Sequence, residues 1–412
     1  MMEGWKEFEL KNVAPYWTNK IDATELNESN YISADNMLPD RGGIVNSVYA
    51  PTSGKSTSFK SKDILVSNIR PYFKKIWYAN FYGGCSNDVI VFRTNNKFAD
   101  SRFVYYYLSK DDFFDYMMAG ANGTKMPRGN KKAITKYKIN LPPLPTQRRI
   151  ASILSAYDDL IENNLKRIKL LEEKAQLTYE EWFVRMKFPG HETTPINEES
   201  GLPEGWEKKT LKSFCSKITK GTTPTSLGKK FIDEGVNFIK AESYTDNGFF
   251  LQEKFAHIDE NTHDILGRSK LQEKDILVSI AGVLGRVAMV NKNILPANTN
   301  QAVAIVRIND PLMSPFYIKY YLSSEYMNNL INKISGQAAQ PNINLAQLGS
   351  FRITTPDVIT LEKFHSIVKL RNKIQLNLHQ QNQLLKEARD ILLPRLMMGV
   401  IDTDEMEGVH TK

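Results

Sequence analysis

The hexamer "KDILVS" occupies residues 62–67 and recurs at residues 274–279, which is an offset of 212. A second shared segment reads "VYYYLS" at residues 104–109 and "IKYYLS" at residues 318–323, an offset of 214. Three single-residue landmarks keep that second offset: Pro127 with Pro341, Ile139 with Ile353, and Pro142 with Pro356. Because separate landmarks keep almost one spacing, we interpret the chain as an internal duplication whose unit is about half its length.

The length of 412 residues predicts two or three domains, each with enough material for a buried core. No apolar run approaches the roughly eighteen residues that a membrane span needs, and the first residues lack the apolar segment of a signal peptide. We therefore expect a cytoplasmic protein. Cys85 and Cys215 are far apart and lack Cys-x-x-Cys spacing, so neither a zinc cluster nor a disulfide framework is expected.

The net charge of +8 is unevenly distributed along the chain. Residues 1–145 carry 20 basic and 14 acidic side chains, and residues 201–358 carry 18 and 15. Residues 188–200 and 397–412 each have a net charge of −3. Basic globular halves fit a phosphate backbone as a partner, although mildly basic proteins often bind no nucleic acid.

Two long stretches have the periodicity of coiled-coil helices. Residues 146–187 contain neither proline nor glycine and carry a heptad seam formed by Ile150, Leu154, Tyr157, Ile161, Asn164, Ile168, Leu171, Ala175, Thr178 and Trp182. Residues 359–396 carry a weaker seam formed by Ile367, Ile374, Leu378, Leu385, Ala388 and Leu392, with polar Arg371 and Gln381 on the same line. Pro394 is expected to end or kink this second helix.

The pattern predicts a globular domain followed by a long helix, twice. The predicted boundaries are 1–145 for the first domain, 146–187 for its helix, 188–200 for a Pro/Gly/acidic linker, 201–358 for the second domain, 359–396 for its helix and 397–412 for a tail. Short apolar runs predict buried strands, and the aromatic "YYYLS" and "KYYLS" segments predict helices with core-facing rings. We therefore predict an α+β fold: two similar mixed α/β domains and two long coiled-coil helices that pack against each other, built as an internal repeat.

The sequence gives no support for catalysis by this chain. "TSGKST" at residues 52–57 lacks the first glycine of a phosphate-binding loop, since Tyr49 stands in that place. The Asp/Asn/Ser-Pro-Pro-aromatic tetrapeptide of amino-methyltransferases is absent. His257 and His263 lie among acidic residues but fit a polar loop better than a metal site. No cofactor and no metal ligand are predicted.

Polar and basic loops are the better candidates for function. "GANGTKMPRGNKK" at residues 120–132 and "SGQAAQPNIN" at residues 335–344 occupy equivalent places in the two repeats, and residues 67–75 and 279–287 follow the shared hexamer. Their side chains are of the kinds that contact base edges or phosphates. The candidate DNA-binding residues are Lys55, Asn68, Arg70, Lys74, Lys125, Arg128, Lys131, Lys220, Thr222, Lys229, Lys240, Arg286, Asn298, Gln301, Gln337, Gln340 and Asn342.

The order of these features resembles the specificity subunit of type I restriction-modification systems. The resemblance rests on "LPPLPTQRRIASIL" followed by "DDLIENNLKRIKLLEE", on "GLPEGW" at the entry to the second half, and on the ending "LLPRLMMG". It covers essentially the whole chain. The second domain-to-helix junction, "TTPDVITLEKF", departs from the usual proline-rich run, which leaves the start of the second helix open.

The resemblance implies two target-recognition domains that each read one half of a split, asymmetric site on double-stranded DNA. It implies that the domains are separated by the two long coiled-coil helices, which are antiparallel and related by a pseudo-two-fold internal repeat. It also implies modification subunits that supply S-adenosylmethionine-dependent adenine methylation, and restriction subunits that supply ATP-driven translocation and cleavage. Under this interpretation the chain itself is not an enzyme. The alternatives are a stand-alone nuclease or methyltransferase, a two-domain DNA-binding regulator, and a coiled-coil scaffold without a partner enzyme.

Overall fold

The computed structural model describes residues 4–123, 125–335 and 342–401. The chain forms two compact units. One comprises the residues up to Asn164 together with those from Gln380 onward, and the other comprises Leu165–His379. Each unit contains one repeat's globular part and a portion of both long helices.

The first unit contains short strands and short helices before the first long helix begins. The strands are β1 Lys6–Glu9, β2 Lys20–Asp22, β3 Tyr31–Ile32, β4 Lys55–Phe59, β5 Ile64–Ser67, β6 Ile76–Tyr78, β7 Gly83–Cys85, β8 Val89–Phe92 and β9 Lys138–Leu141. The helices are α1 Leu10–Val13, α2 Ser101–Leu108, α3 Asp111–Ala119, α4 Lys131–Ile134 and the long α5 Leu144–Tyr179. A π-helical turn at Glu180–Val184 follows α5.

The second unit repeats this plan. Its strands are β10 Glu207–Thr210, β11 Cys215–Lys220, β12 Val236–Ile239, β13 Ala256–Ile258, β14 Ile276–Ser279, β15 Val287–Met289, β16 Ala297–Thr299, β17 Val303–Ile308 and β18 Arg352–Thr355. Its helices are α6 Glu260–Ile265, α7 Pro315–Leu322, α8 Glu325–Ser335, α9 Leu345–Ser350 and the long α10 Val358–Met397.

The shared hexamer supplies the central strand of equivalent sheets. β5 pairs antiparallel with β6 on one side and β8 on the other, and β14 pairs in the same way with β15 and β17. In the second unit β11 adds to the free edge of β17. Residues Ile64–Ser67 and Ile276–Ser279 are buried along their whole length, as the apolar pattern predicts.

The first two letters of the hexamer also have matching structural roles. Lys62 and Lys274 have left-handed backbone conformations, with φ of 76° and 70°. The following aspartates are buried and ion-paired, Asp63 with Arg93 at 2.6 Å and Asp275 with Arg307 at 2.7 Å. A buried carboxylate needs such a partner, so the sequence repeats because the same turn, ion pair and core strand are built twice.

The remaining sheets complete each unit. β1 pairs with β9 and β10 pairs with β18, both antiparallel. The order β2-β4-β7-β3 forms a further sheet in the first unit, and β13-β12-β16 forms one in the second. The aromatic helices α2 and α7 supply Tyr106, Tyr107, Tyr320 and Tyr321 to the cores, as the spacing predicts.

The long helices pair antiparallel within each unit. In the first unit Asn164 donates its amide to Gln381 and Asn382, each at 2.9 Å, and Arg389 donates to Asp158 at 2.6 Å. In the second, Gln375 donates to the carbonyl of Ile168 at 3.2 Å, and Arg371 donates to the carbonyl of Lys174 at 3.0 Å. The position of Asn164 on the seam is confirmed, and it is buried.

The predicted seam of the second helix is wrong by one residue at three positions and correct at Leu378, which is buried. Val368, Gln375 and Asn382 are buried at positions where the pattern favoured Ile367, Ile374 and Gln381. Two of these buried residues are polar and hydrogen-bonded across the pair, and a hydrophobic pattern does not select such positions. Pro394 does not end the helix, which continues to Met397. The helix begins at Val358, directly after Asp357.

Both cysteines are free thiols. Among the described residues, no group of histidine, cysteine and acidic side chains could hold a metal ion. None of the described helices combines the length and the hydropathy required to cross a membrane.

Candidate nucleic-acid interface

The predicted loops come together in the same way in both units. In the first unit, an isolated β-bridge joins Ile69 to Arg128, and in the second an isolated bridge joins Ala281 to Asn342. These pairs are related by the offsets 212 and 214 that the sequence shows. Neighbouring backbone bonds repeat as well: Gly129 donates to the carbonyl of Asn68 at 3.1 Å, and Ile343 donates to that of Ile280 at 3.0 Å. The segment after the hexamer strand therefore lies against the polar loop in each unit.

Arg128 lies at the centre of this arrangement in the first unit. Its side chain is 59% exposed and pairs with Asp88 at 3.2 Å. Its backbone also bridges to Asn122 across the loop. Lys131, at the start of α4, is exposed and places Nζ 3.4 Å from the carbonyl of Asn87. Both cations are held beside the polypeptide that precedes β8, but both remain open to solvent.

Arg70 and Lys74 flank the turn between β5 and β6. The backbone N–H of Arg70 donates to the carbonyl of Pro127 at 2.8 Å, which ties this turn to the loop that carries Arg128. The ammonium of Lys74 pairs with Asp111 at 2.8 Å. The hydrogen bond from Lys74 lowers the pKa of the Asp111 carboxyl below its ordinary value.

Asn68, also on this turn, is buried rather than exposed. Its side-chain Oδ1 has no hydrogen-bond partner in the described part of the chain. Gly129 lies so close that a Cβ added there would stand 2.7 Å from this oxygen. Of the other candidates in this unit, Lys125 is exposed on the 120–132 loop, whereas Lys55 begins β4 in a different sheet, opposite Asp22.

In the second unit, three candidates meet where β11 ends beside β17. Gly221 donates to the carbonyl of Asn300 at 3.0 Å, which brings Lys220 and Thr222 next to Gln301. The hydroxyl of Thr223 donates to the Gln301 side chain, and Arg268 donates to Thr222 at 3.2 Å. Lys220 and Gln301 are exposed.

The other second-unit candidates have different environments. Lys240 places Nζ 4.9 Å from the ring centre of Phe231. Arg286 pairs with Asp246 and donates to the carbonyl of Tyr244 at 3.3 Å. Lys229 is half-buried, and its backbone N–H donates to the carbonyl of Pro224 at 3.0 Å. Asn342 is exposed, whereas Gln337 and Gln340 lie outside the described residues.

Asn298 is fully buried on β16, and its side chain forms hydrogen bonds within the domain. Its amide donates to the carbonyl of Leu266 at 3.1 Å and to Ser269 at 3.2 Å. Its Oδ1 contacts Nδ1 of His263. Because these bonds occupy the amide group inside the domain, Asn298 does not form part of the exposed candidate surface.

Some residues of this surface were not anticipated from the sequence. Arg268 reaches Thr222 from a 3₁₀ turn at Gly267–Ser269, and Asp88 pairs with Arg128 from the start of the β8 segment. Arg41 donates to the carbonyl of Ser109 at 2.5 Å and pairs with Asp111 beside Lys74. These are long-range contacts, and no local pattern in the sequence indicates them.

The thiols lack the properties of nucleophiles. Burial raises the pKa of Cys85 to about 12 and the pKa of Cys215 to about 12. A nucleophilic cysteine requires a lowered pKa, because the thiolate is the reactive form. Neither thiol is therefore a candidate for covalent catalysis.

Known proteins resemble this chain in sequence and in fold. The model of a family described as the type I restriction modification DNA specificity domain matches residues 2–173 and 203–386. The HindI specificity subunit of Haemophilus influenzae is 24% identical over 97% of this chain and 100% of its own length. The MjaIX specificity subunit of Methanocaldococcus jannaschii is 25% identical over 74% of this chain and 70% of its own. A crystal structure of the type I S subunit from M. genitalium has a TM-score of 0.58, with 15% identity and coverage of 95% and 96%, which indicates a shared fold.

Proposed function

The chain belongs to the family of type I restriction-modification DNA specificity proteins, and from this premise we propose that it reads a bipartite, asymmetric site on double-stranded DNA. It acts as a specificity subunit and is not itself an enzyme. Each globular repeat reads one half of the site. We also propose the cytoplasm as its location, because the molecule that it binds is DNA.

The observation that carries the proposal is the repeated loop contact on a repeated scaffold. The core strand and its ion pair are the same in both repeats, but the residues at the bridge differ, with Arg128 in one and Asn342 in the other. Arginine contacts guanine edges and asparagine contacts adenine edges, or either contacts phosphate. A common scaffold with different presented side chains is suited to reading two different half-sites.

The proposed partners are modification subunits with methyltransferase activity and restriction subunits with ATP-dependent translocase and nuclease activity. Membership in the family supports an assembly of this kind. The partners supply S-adenosylmethionine, ATP and the chemistry that uses them. This chain supplies the choice of sequence.

The proposed DNA contacts are the exposed or half-buried candidates. In the first repeat these are Lys55, Arg70, Lys74, Lys125, Arg128 and Lys131. In the second repeat they are Lys220, Thr222, Lys229, Lys240, Arg286, Gln301 and Asn342. Gln337 and Gln340 remain proposed from the sequence alone, and buried Asn68 supports the turn that carries Arg70.

Methylome sequencing tests the proposal. A host that supplies the modification subunit should methylate one split sequence when this chain is present and should lose that methylation when the gene is deleted. Purified modification subunit with this chain should bind duplexes that contain the mapped site. An unchanged methylome together with absence of specific binding would contradict the proposal and favour a scaffold. Sequence-specific binding without any modification partner would favour a regulator.

A further inference from the structure

The turn at residues 70–74, which we call the hook, has an unusual backbone. Arg70 and Lys74 both adopt the left-handed conformation, with φ of 48° and 51°. Between them Pro71–Phe73 forms a single 3₁₀ turn. Side chains with a Cβ are strained in this conformation, and such strain concentrates at functional sites.

The second repeat builds the equivalent turn without strain. Counting from the flanking strands, Gly282 corresponds to Arg70 and Gly285 corresponds to Lys74, although the second turn is one residue shorter. Both glycines have left-handed φ values, 75° and 79°. Glycine adopts this conformation without a steric cost. The first repeat therefore retains two cationic side chains at positions where the fold favours glycine.

The hook is rigidly held by the rest of its unit. Asp40 donates its backbone N–H to the carbonyl of Phe73 at 2.8 Å, and Arg41 donates to that of Lys74 at 3.0 Å. Arg70 donates to the carbonyl of Pro127 at 2.8 Å from the other side. These bonds fix the shape of the turn before any ligand arrives.

The fixed turn presents two aromatic rings to solvent. Tyr72 is 47% exposed and Phe73 is 38% exposed, and their ring centres are 4.6 Å apart. Lys75 lies with Nζ 5.8 Å from the ring centre of Phe73. Exposed rings beside cations are the combination that binds unstacked nucleic-acid bases, because the ring stacks on the base and the cation contacts its phosphate.

Arg70 is the cation of the hook that has no acidic partner. Within the described residues no carboxylate pairs with it, its side chain is half-buried, and its buried Nε has no hydrogen-bond partner. Lys74, by contrast, forms an ion pair with Asp111. The hook carries positive charge and lies beside Arg128. This charge favours nucleic acid over an apolar protein surface as the partner of the rings.

We infer that Tyr72 stacks on a base that is unstacked within the first half-site, while Arg70 binds the adjacent phosphate. This inference rests on the proposed function and adds a mode of recognition to it. The second repeat lacks this combination of aromatic rings and cations, because Val283 and Leu284 occupy the turn between its two glycines. Unstacking by an aromatic ring of this turn should therefore be confined to the half-site that the first repeat reads.

The test uses the full chain in complex with its modification subunit, on duplexes that carry the site mapped by methylome sequencing. Single bases of the first half-site are replaced by 2-aminopurine, one at a time. The adenine that becomes methylated is left unchanged. The wild-type complex should increase 2-aminopurine fluorescence at one or two positions. Tyr72→Ala should abolish that increase and weaken binding by about fivefold to 150-fold, whereas Tyr72→Phe should retain both.

Tyr82→Ala is the matched control, since Tyr82 is 55% exposed in the same unit but lies outside the hook. It should leave fluorescence and affinity unchanged. Every variant should keep the circular dichroism spectrum and the unfolding midpoint of the wild type, which shows that Tyr72→Ala has not unfolded the first unit. If the wild-type complex binds its site but shows no fluorescence change, or if Tyr72→Ala keeps the change, the inference is wrong and the proposed function stands. Failure of the wild-type complex to select any site would instead contradict the proposed function.

Discussion

At the scale of single residues, Arg70 is expected to contribute to DNA binding and to lower the free energy of unfolding. Replacement by glycine relieves the left-handed strain, so Arg70→Gly should raise the free energy of unfolding by about 1 kcal/mol. The same change removes the proposed phosphate contact and should weaken DNA binding. Lys62→Gly is the control, because Lys62 is also left-handed but lies outside the proposed interface. It should stabilise the protein without changing DNA affinity, as measured by chemical denaturation and by titration with the duplex.

Arg128 and Asn342 occupy equivalent positions, so their substitution should affect opposite halves of the site. Arg128→Ala should cost about 1–3 kcal/mol of binding to duplexes with the correct first half-site, if it reads a base. Asn342→Ala should do the same for the second half-site. Titration of duplexes with one randomised half separates the two effects. A loss that is uniform over all sequences would assign these residues to phosphates instead.

The sequence predicted which loops are equivalent in the two repeats, but it predicted neither that they meet the segment after the hexamer nor which side chains are exposed. The bridge from Ile69 to Arg128 and the bridge from Ala281 to Asn342 show that these segments meet in both repeats. Asn298 has the same chemical character as Asn342, yet it is buried and satisfied by Leu266 and Ser269. Whether a polar side chain faces solvent depends on long-range packing, which residue type and loop position do not reveal.

At the scale of elements, the long helices depend on polar contacts at their seam. Glu172 on α5 accepts hydrogen bonds from Lys319 at 2.8 Å, Tyr320 at 3.1 Å and Gln375 at 3.1 Å. The Lys319 side chain is only 6% exposed, so removal of the carboxylate leaves a buried unpaired charge. Glu172→Ala should therefore cost about 3 kcal/mol of stability. Glu173→Ala is the control, since Glu173 pairs with Lys169 on the exposed face and should cost about 0.5 kcal/mol or less.

The start of α10 gives an expected pH dependence. The carboxylate of Asp357 accepts hydrogen bonds from the backbone N–H of Thr360 at 2.9 Å and from Trp206 at 3.1 Å. Burial by itself raises the pKa of Asp357, but these hydrogen bonds outweigh it and the net pKa is lowered. The stabilisation is therefore present above the ordinary carboxyl pKa and is lost as the pH falls through the lowered value.

Asp357→Ala should destabilise the second unit by about 1 kcal/mol at neutral pH, because the first turn of α10 loses its cap. Asp357→Asn retains a capping oxygen and should cost less, and its contribution should not change between neutral and acid pH. Denaturation midpoints of the three proteins across this range provide the measurement. Equal pH dependence of wild type and Asp357→Asn would show that this carboxylate does not contribute.

The seam of α10 shows why the existence of a helix is easier to predict than the face that it buries. Both long helices follow from the apolar periodicity, and their antiparallel pairing follows from the resemblance to type I specificity subunits. The buried face of α10, however, includes Gln375 and Asn382, which bond to main-chain carbonyls of α5. A hydrophobic pattern cannot assign such positions, because their burial is compensated by hydrogen bonds rather than by apolar contact.

At the scale of the whole molecule, the duplication separates a constant scaffold from a variable surface. The left-handed lysine, the buried aspartate with its arginine, and the central strand are the same in both repeats. The turn that follows has diverged, with strained cations and aromatic rings in one repeat and glycines in the other. Because the central strand and its aspartate are buried and the aromatic rings of the divergent turn are exposed, the surface can change while the core remains intact.

This separation predicts that the repeats read DNA independently. Each repeat has its own buried cores, one set built around Phe103 and Phe113 and another around Tyr317 and Tyr320. Replacing residues 1–145 by the corresponding segment of a relative should therefore change one half of the methylated sequence and leave the other half as it was. Replacing residues 201–358 should have the reciprocal effect. The measurement is methylome sequencing of cells that express each chimera with the modification subunit. Changes in both halves from a single replacement would show that the two repeats recognise DNA jointly, and no change from either would show that the recognition residues lie elsewhere.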